Sequence, residues 1–391
     1  MSENKLFVGY DLCDDQTQIA VYNSMTFEPD SEGVMETAIF MEQSGEKVTG
    51  FVSRAANGES IIIEGKEADP VHLFSYYFRK TLAVTKEKYP ESGIRKLVVT
   101  VEEQKKEFSD ILYQALENIG LKKDRVMIIG HKQSYLYYAL CQKKELWQSD
   151  VGMFDYNRRG LFYYQMNIDR MRKPILVGVV EKDYTHLIHV KDGNRAILFE
   201  NIAQGAMHRQ AISTVYMTGI GFAGDWADGV MQRLCVGRRV FKGRNLYVNG
   251  ACYAARELSG EGKLEDFLFL DEDMINSHIT TKVYVDASVK EIIFAKAGMP
   301  WYQIDREIDV IPDGDEEIAI SVKNILKRET RQFMIPLEPV LGRNNKRVRI
   351  GIRIQFSDVN TCILTIRDKG FGDIAPSSHR IWEKVISLEN S

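Results

Sequence analysis

The chain has 391 residues, more than one hydrophobic core usually holds, so its length predicts two or three domains. Hydrophobic residues make up 44% and charged residues 27%, a balance that is typical of globular chains and excludes a wholly disordered one. The formal net charge of −4 gives no reason to expect binding to nucleic acid or to an anionic membrane. Neither a membrane-spanning run nor an apolar signal segment is found, so we expect a cytoplasmic protein.

The cysteines agree with a reducing compartment. Their number is odd, they lie far apart, and no Cys-x-x-Cys pair occurs, which is a poor basis for a disulfide framework or a zinc motif. We therefore expect reduced thiols at all five positions: Cys13, Cys141, Cys235, Cys252 and Cys362.

The first 148 residues contain segments typical of an α/β layer. Residues 6–12 and 17–22 flank a polar turn and predict a β-hairpin. Residues 95–101 have the composition of a buried strand, and an amphipathic helix with apolar side chains three and four residues apart follows them. A strand at 126–129 and a helix at 133–147 come next. This strand–helix–strand order predicts parallel strands joined by crossover connections.

The next hundred residues begin in the same way, with two strands joined by a tight polar turn at 157–159. The predicted strands are 150–155, 160–168, 175–180, 184–190, 195–200 and 215–218, and the predicted helix runs from about 225 to 234. A short polar hairpin therefore opens each half of this region, although the two halves are too dissimilar to establish a repeat.

Residues 280–368 consist of short predicted strands in which apolar and polar residues alternate. In 348–356 every second residue is apolar, the period of two expected of a sheet with one buried face. Several such strands predict a separate antiparallel sandwich, with a domain boundary between 265 and 275. At the end of the chain, the spacing of Ile381, Val385 and Leu388 predicts a short packing helix.

Three segments, in the same order, resemble those of the actin and DnaK-type chaperone superfamily of ATPases. V-G-Y-D-L-C-D-D-Q-T-Q-I-A-V-Y at 8–22 is similar to that family's first phosphate hairpin, and V-G-M-F-D-Y-N-R-R-G-L-F-Y-Y-Q-M at 151–166 to its second. V-Y-M-T-G-I-G-F at 215–222, with N-G-A-C-Y-A-A at 249–255, resembles its adenosine loop and the helix that follows. Further along, F-L-F-L-D-E-D at 267–273 is similar to the interdomain linker of the chaperones.

The resemblance implies an α/β two-lobe actin/DnaK-like (ribonuclease-H-like) nucleotide-binding fold at 1–265, with lobe I at about 1–148 and lobe II at about 149–265. It also implies a C-terminal antiparallel β-sandwich at 276–391, similar to the chaperones' substrate-binding domain. Only about fifty residues, 167–214, separate the second hairpin from the adenosine loop, where full-length chaperones carry a helical subdomain. The chain therefore resembles a shortened member of the superfamily, and we expect a bacterial family of such shortened proteins.

By the same resemblance, Asp11 and Asp155 stand at the family's two metal-associated aspartates, where they would hold magnesium through water. Gly219 and Gly221 stand beside the nucleotide, so ATP or ADP with magnesium is the implied cofactor. We expect these residues to converge around a cavity. A turn acceptor at a strand end is the alternative interpretation of Asp11.

The chain departs from the family at several of these positions. Cys13 replaces the glycine after the first aspartate, and Asp14 replaces a hydroxyl residue. Asn157 and Arg158 stand in the glycine run of the second hairpin, and His131 stands where the chaperones carry a catalytic glutamate. A solvated acidic turn at Asp14 and a surface position for Arg158 are the favoured interpretations. The departures predict weak nucleotide binding and leave the catalytic residues unknown.

Together these features favour a degenerate, chaperone-like ATPase fold that acts by binding a protein partner, with little or no ATP hydrolysis. An active, divergent DnaK-like ATP-dependent chaperone is the rival in the enzyme class, because fold alone does not decide activity. An actin-like filament-forming protein is a third hypothesis, which the appended sandwich disfavours.

Overall fold

The computed structural model describes residues 5–41, 45–188, 194–312, 317–337, 348–373 and 376–389. Internal contacts divide the chain into two units, Met1–Phe267 and Leu268–Ser391. None of the helices in the described ranges is long and apolar enough to cross a membrane.

The first part of unit 1 forms a five-stranded sheet with helices packed against it. Its elements are β1 (Lys5–Leu12), β2 (Gln16–Asn23), β3 (Glu28–Glu36), β4 (Ile39–Phe40), β5 (Lys47–Val48), α1 (Phe51–Ala56), β6 (Ile61–Ile63), β7 (Lys66–Ala68), α2 (Pro70–Lys88), β8 (Gly93–Val101), α3 (Lys106–Asn118), β9 (Val126–Gly130) and α4 (His131–Cys141). The sheet order is β3-β2-β1-β8-β9. Strands β1, β2 and β3 are antiparallel neighbours, whereas β8 and β9 run parallel to β1.

The second part of unit 1 repeats this order. Its elements are β10 (Asp150–Tyr156), β11 (Leu161–Asp169), β12 (Ile175–Asp183), α5 (Thr185–Ile188), α6 (Arg195–Ala206), β13 (Ile212–Thr218), α7 (Asp228–Leu234), β14 (Arg239–Lys242) and α8 (Leu246–Arg256), and β15 (Phe267–Leu270) follows where the units divide. Five of these strands are ordered β12-β11-β10-β13-β14, again with an antiparallel meander on one side and two parallel strands on the other. In both sheets the strand order by sequence is therefore third, second, first, fourth, fifth.

Helix α8 lies against the first sheet because β1 has a glycine where the two meet. Val8 and Tyr10 point into the core shared with α2 and α3, so the residue between them, Gly9, faces the other side of the sheet. A Cβ at Gly9 would lie 2.8 Å from the Cα of Cys252 in α8 and would overlap the carbonyl oxygen of Val248. Only glycine allows this close approach of helix and strand.

Two predicted strands in unit 1 are helical instead. Residues 195–200 form the first half of α6, and Thr185–Ile188, within the predicted strand 184–190, form α5; the last two residues of that prediction lie outside the described ranges. A short apolar run does not distinguish a strand from a buried helix by itself. Here Phe199, Ile202 and Ala203 are buried at helical spacing against the second sheet, which decides the matter.

Unit 2 consists of two antiparallel sheets that share one hydrophobic core. Its strands are β16 (Ser277–Val285), β17 (Ser288–Ala295), β18 (Asp305–Val310), β19 (Glu317–Asn324), β20 (Glu329–Pro336), β21 (Ile350–Asp358), β22 (Thr361–Asp368) and β23 (Ile381–Ser387). They are ordered β17-β16-β19-β20 and β18-β21-β22-β23. Ile279 and Ile320 of one sheet and Ile352 and Leu364 of the other belong to the same buried cluster.

The predicted C-terminal helix is wrong, because the tail pairs with β22 as strand β23. Its alternate residues Trp382 and Ile386 pack on the core of unit 2, whereas Ile381 and Val385 of the supposed helical stripe are 58% and 64% exposed. The open edge of β22 supplies a full row of backbone hydrogen bonds, which favours the strand over an isolated helical turn.

Candidate functional site

The two predicted aspartates occupy equivalent places in the two sheets of unit 1. Asp11 is the penultimate residue of β1 and pairs with Thr100 of the parallel strand β8. Asp155 is the penultimate residue of β10 and pairs with Thr218 of the parallel strand β13. Both carboxylates are buried, with residue exposures of 3% and 2%.

A continuous series of side-chain contacts joins these two carboxylates. The Nε2 atom of His131 lies 2.8 Å from Oδ1 of Asp11. The imidazole of His131 stacks on the ring of Tyr247, with centroids 3.8 Å apart and an interplanar angle of 9°. The hydroxyl of Tyr247 donates a hydrogen bond of 2.8 Å to Oδ2 of Asp155. The space between the aspartates therefore contains protein side chains.

Two helix N-termini hold this series in place. His131 is the first residue of α4, directly after β9, and Tyr247 lies in the first turn of α8. The helices are joined by the hydroxyl of Ser134, which donates to the carbonyl oxygen of Tyr247 at 2.5 Å. A Cβ at Gly250 would lie 2.6 Å from Oγ of Ser134, so glycine is what lets the two helices approach this closely.

The carboxyl group of Asp155 and the hydroxyl group of Tyr247 both hold their protons more strongly than they would in water. Burial raises the pKa of Asp155 from 3.8 to about 6, although His131 and the hydrogen bond from Tyr247 act in the opposite direction. Burial, followed by the charge of Asp155, raises the pKa of Tyr247 well above its usual value. The tyrosine hydroxyl therefore keeps its proton and serves as the donor.

The Asp11–His131 pair has a half-buried thiol beside it. Burial favours neutral imidazole, but the charge of Asp11 and the hydrogen bond to it outweigh that effect and raise the pKa of His131. Sγ of Cys13 lies 3.6 Å from Oδ1 of Asp11 and 3.8 Å from Nε2 of His131. Burial and then the charge of Asp11 raise the pKa of Cys13 well above its usual value, so the thiol is protonated near neutral pH.

The turn after Asp11 is tied to the rest of unit 1. Oδ1 of Asp14 accepts backbone N–H bonds of 3.0 Å from Val52 and Ser53, in the first turn of α1. Asp14 is half-buried and stabilises a helix N-terminus, a role that the predicted solvated acidic turn did not include. Asp15 forms an ion pair of 2.6 Å with Arg158, which joins the turns of the two hairpins.

The second hairpin turn folds back on Asp155. The side-chain amide of Asn157 donates to Oδ2 of Asp155 at 3.0 Å, so this oxygen accepts hydrogen bonds from both Asn157 and Tyr247. The side chain of Arg158 is 74% exposed, as its surface interpretation predicted.

The glycines of the predicted adenosine loop make room for a neighbouring strand end. Gly219 has φ +98°, and a Cβ there would lie 2.7 Å from Oδ1 of Asp155 and 2.7 Å from the carbonyl carbon of Tyr156. A Cβ at Gly221 would overlap the ring of Tyr156. The close neighbours of these glycines are therefore Asp155 and Tyr156, and the expectation that they stand beside a nucleotide stays a prediction.

Two cavities lie beside this loop. One of about 280 Å³ is lined by Gly219 together with Phe222, Lys242 and Arg244, and the other, of about 230 Å³, shares Lys242 and Arg244 with it. Neither aspartate lines either cavity. Of the four predicted residues (Asp11, Asp155, Gly219 and Gly221), only Gly219 lines either of these two cavities.

Sequence reasoning missed Tyr247 and underrated His131. No pattern around Tyr247 distinguishes it from the other tyrosines, and its partner Asp155 is 92 positions away in the chain. No partner for His131 is evident in the sequence, whereas the fold supplies Asp11 from 120 positions away.

Two family models match most of the chain. Residues 36–272 match the model described as "Family of unknown function (DUF5716) C-terminal", and residues 274–388 match "Domain of unknown function (DUF8552)". The first match contains His131, Asp155 and Tyr247 and begins after the hairpin that carries Asp11 and Cys13. A search of the curated proteins found no match.

Proposed function

The chain belongs to the DUF5716 family, a family of unknown function, and we propose that it is a degenerate protein of actin/DnaK-like, two-lobe fold. In this proposal it acts by binding a protein partner, with little or no ATP hydrolysis. Its place of action is the cytoplasm, in keeping with five scattered, free cysteines.

The strand order of unit 1 supports the two-lobe fold. Two five-strand arrangements with the same order and directions follow each other in the chain, and each begins with a hairpin whose first strand carries a buried aspartate. Ligands of open α/β sheets bind outside the carboxyl ends of the strands, which is where Asp11 and Asp155 lie.

The proposed lack of hydrolysis is supported mainly by the contacts that the carboxylates of these two aspartates make. Oδ1 of Asp11 faces an imidazole nitrogen and a thiol, and Oδ2 of Asp155 accepts two hydrogen bonds. Magnesium requires oxygen ligands and retains several of its waters, so the donors at Asp11 do not fit it. The stacked rings of His131 and Tyr247 also stand between the two carboxylates.

The contacts of the two hairpin turns likewise disfavour binding of the phosphates of a nucleotide. In phosphate-binding turns, successive backbone N–H groups approach the anion where glycine leaves space. Here the carboxylate of Asp14 lies against α1, and Asn157 folds back onto Asp155. A triphosphate would meet carboxylates and side-chain amides in place of free backbone N–H groups.

An exposed apolar hairpin in unit 2 supports partner binding. Strands β16 and β17 are joined by the turn residues Asp286 and Ala287, both with positive φ. Next to this turn, Tyr284 and Val289 face each other across the strands and are 74% and 67% exposed. Exposed tyrosine beside aliphatic side chains is common at protein interfaces.

Hydrolysis and nucleotide binding are tested on the full chain. We expect ATP turnover, measured by phosphate release with magnesium, to equal that of an Asp11→Asn variant prepared in parallel. We also expect ATP with magnesium to leave the melting temperature unchanged. A ligand that bound the folded chain, at a hundredfold excess over its Kd, would add about 2.7 kcal/mol to the free energy of unfolding and raise the melting temperature. Turnover that is lost in Asp11→Asn would establish the rival ATPase.

Partner binding is tested with the unit 2 hairpin. The full chain, a Tyr284→Ser/Val289→Ser variant and a Val236→Ser control serve as baits; Val236 is 79% exposed and lies in unit 1. A partner that binds the wild type and the control is then purified and titrated against all three chains. Equal affinity for the hairpin variant would exclude this surface, and failure to bind after purification would exclude the partner.

A further inference from the structure

Three metal-ligating side chains converge at the end of the first hairpin strand. Asp11 is the penultimate residue of β1, Cys13 directly follows the last residue of that strand, and His131 reaches them from the start of α4. The three facing atoms are Oδ1, Sγ and Nε2, separated by 2.8 Å (O–N), 3.6 Å (O–S) and 3.8 Å (N–S).

Two of these three separations are close to those between ligand atoms of a tetrahedral zinc ion, and the O–N separation is shorter. With Zn–N and Zn–O bonds of about 2.1 Å and a Zn–S bond of about 2.3 Å, tetrahedral angles place the ligand atoms about 3.4 to 3.6 Å apart. Each observed separation differs from that range by about 0.6 Å or less. A change of this size at Asp11 requires only that a metal ion replace the proton that now lies between Oδ1 and Nε2.

We propose that Asp11, Cys13 and His131 form a binding site for a zinc ion, with the fourth position open to water. Mixed nitrogen, sulfur and oxygen ligands suit zinc and disfavour magnesium and calcium. Coordination by one thiolate and one carboxylate would neutralise the divalent charge. The thiol proton would be released to solvent, and the proton on Nε2 of His131 would pass to Nδ1 through solvent. The site is independent of the proposed partner binding and of the fold resemblance.

The surroundings suit a cation. Asp155 and Glu102 lie near enough to add negative potential at His131. The ring of Tyr247 lies flat on the imidazole and restrains its orientation, as neighbours of metal ligands do. Cys13 is half-buried, which leaves a path for the ion.

The same geometry argues against a nucleophilic cysteine. In a Cys–His–Asp relay the thiol and the carboxylate contact different nitrogens of the imidazole, so that one nitrogen takes the proton and the other is held. Here both Sγ of Cys13 and Oδ1 of Asp11 face Nε2. Convergence on one nitrogen is the arrangement of ligands around an ion.

The site is tested on the metal-stripped full chain with zinc and cobalt ions. We expect one zinc ion per chain by competition with a chromophoric chelator, and a near-ultraviolet thiolate-to-cobalt absorption band. Cys13→Ser should abolish the band and weaken zinc binding at least about a hundredfold, with a smaller loss for Asp11→Asn. The matched control is Cys235→Ser, which removes an exposed thiol elsewhere in unit 1 and should leave both signals unchanged.

A second measurement needs no variant and covers the case in which Cys13→Ser fails to fold. Wild-type chain is alkylated with iodoacetamide with and without zinc, and each cysteine is quantified by peptide mass spectrometry. Zinc should protect Cys13 and leave the exposed Cys235 unprotected. Absence of stoichiometric zinc binding, a cobalt band that persists in Cys13→Ser, or equal alkylation of Cys13 with and without zinc would each overturn the proposal.

Discussion

Replacing Gly250 by alanine tests the helix contact that positions the site. Gly250 lies in the middle of α8, where alanine is intrinsically the better helix former by about 1 kcal/mol. Its new methyl group would nevertheless lie 2.6 Å from Oγ and 2.7 Å from the carbonyl carbon of Ser134, and it would overlap the carbonyl oxygen of that residue. An ordinary contact begins at 3.4 Å, so α4 and α8 must separate by about 0.8 Å or more.

Helix α8 has no room for that shift. On its other side α8 touches β1 at Gly9, where a Cβ would be 2.8 Å from the Cα of Cys252. Overpacking of a close-packed core costs about 1–3 kcal/mol, and the upper part of that range applies because backbone atoms of Ser134 cannot rotate away. After subtraction of the gain in helix propensity, we expect a net loss of about 1–2 kcal/mol.

The matched control is Gly205→Ala in α6. Gly205 is a helical glycine with no atom within 4 Å of the position that an alanine methyl group would take, so its substitution should stabilise the chain by about 0.5 to 1 kcal/mol. Thermal unfolding of both variants is followed by far-ultraviolet circular dichroism, with about 2–4 °C expected per kcal/mol for the larger unit. Equal melting temperatures for Gly250→Ala and the wild type would refute the close α4–α8 contact.

Three further predictions concern the buried pair and the C-terminal strand. Because the pKa of Asp155 is raised from 3.8 to about 6 on folding, the free energy of unfolding should fall as pH rises through that interval. The Asp155→Asn variant should therefore be more stable than the wild type by up to about 3 kcal/mol at pH 7.5 and equally stable at pH 3.5. Unfolding curves in which this difference does not change with pH would contradict the prediction. Tyr247→Phe removes a hydrogen bond to a buried carboxylate and should cost about 1.5–3 kcal/mol, and a double-mutant cycle with Asp155→Asn should give a coupling energy distinguishable from zero. In β23, Ile386→Ala should destabilise the chain by about 2–5 kcal/mol while its neighbour Val385→Ala has almost no effect; the reverse order in urea unfolding would favour a helix.

Local periodicity was sufficient for much of the fold. The alternation in 348–356 predicted β21, and the apolar side chains at spacings of three and four predicted α3. Each of these elements buries one face, and the spacing of apolar residues within the element is enough to show which face that is. The polar turn at Asp14 and Asp15 likewise predicted the hairpin of β1 and β2.

Where two elements were possible locally, a distant partner decided between them. Residues 195–200 are compatible with a strand, and they are helical because Phe199 packs on the second sheet. The tail has apolar residues at helical spacing and at alternate positions, and the open edge of β22 selects the alternate ones. Such choices depend on hydrogen bonds and buried surface contributed by residues far along the chain.

For the site, the sequence determined which residues carry the chemistry, and the tertiary structure determined what they do. Asp11, Cys13 and His131 are recognisable as acid, thiol and imidazole, but only the fold brings Oδ1, Sγ and Nε2 within 3.8 Å of one another. Only the fold also places Tyr247 between His131 and Asp155. Contacts between side chains about a hundred residues apart leave no local pattern, because they depend on where α4 and α8 lie against the two sheets.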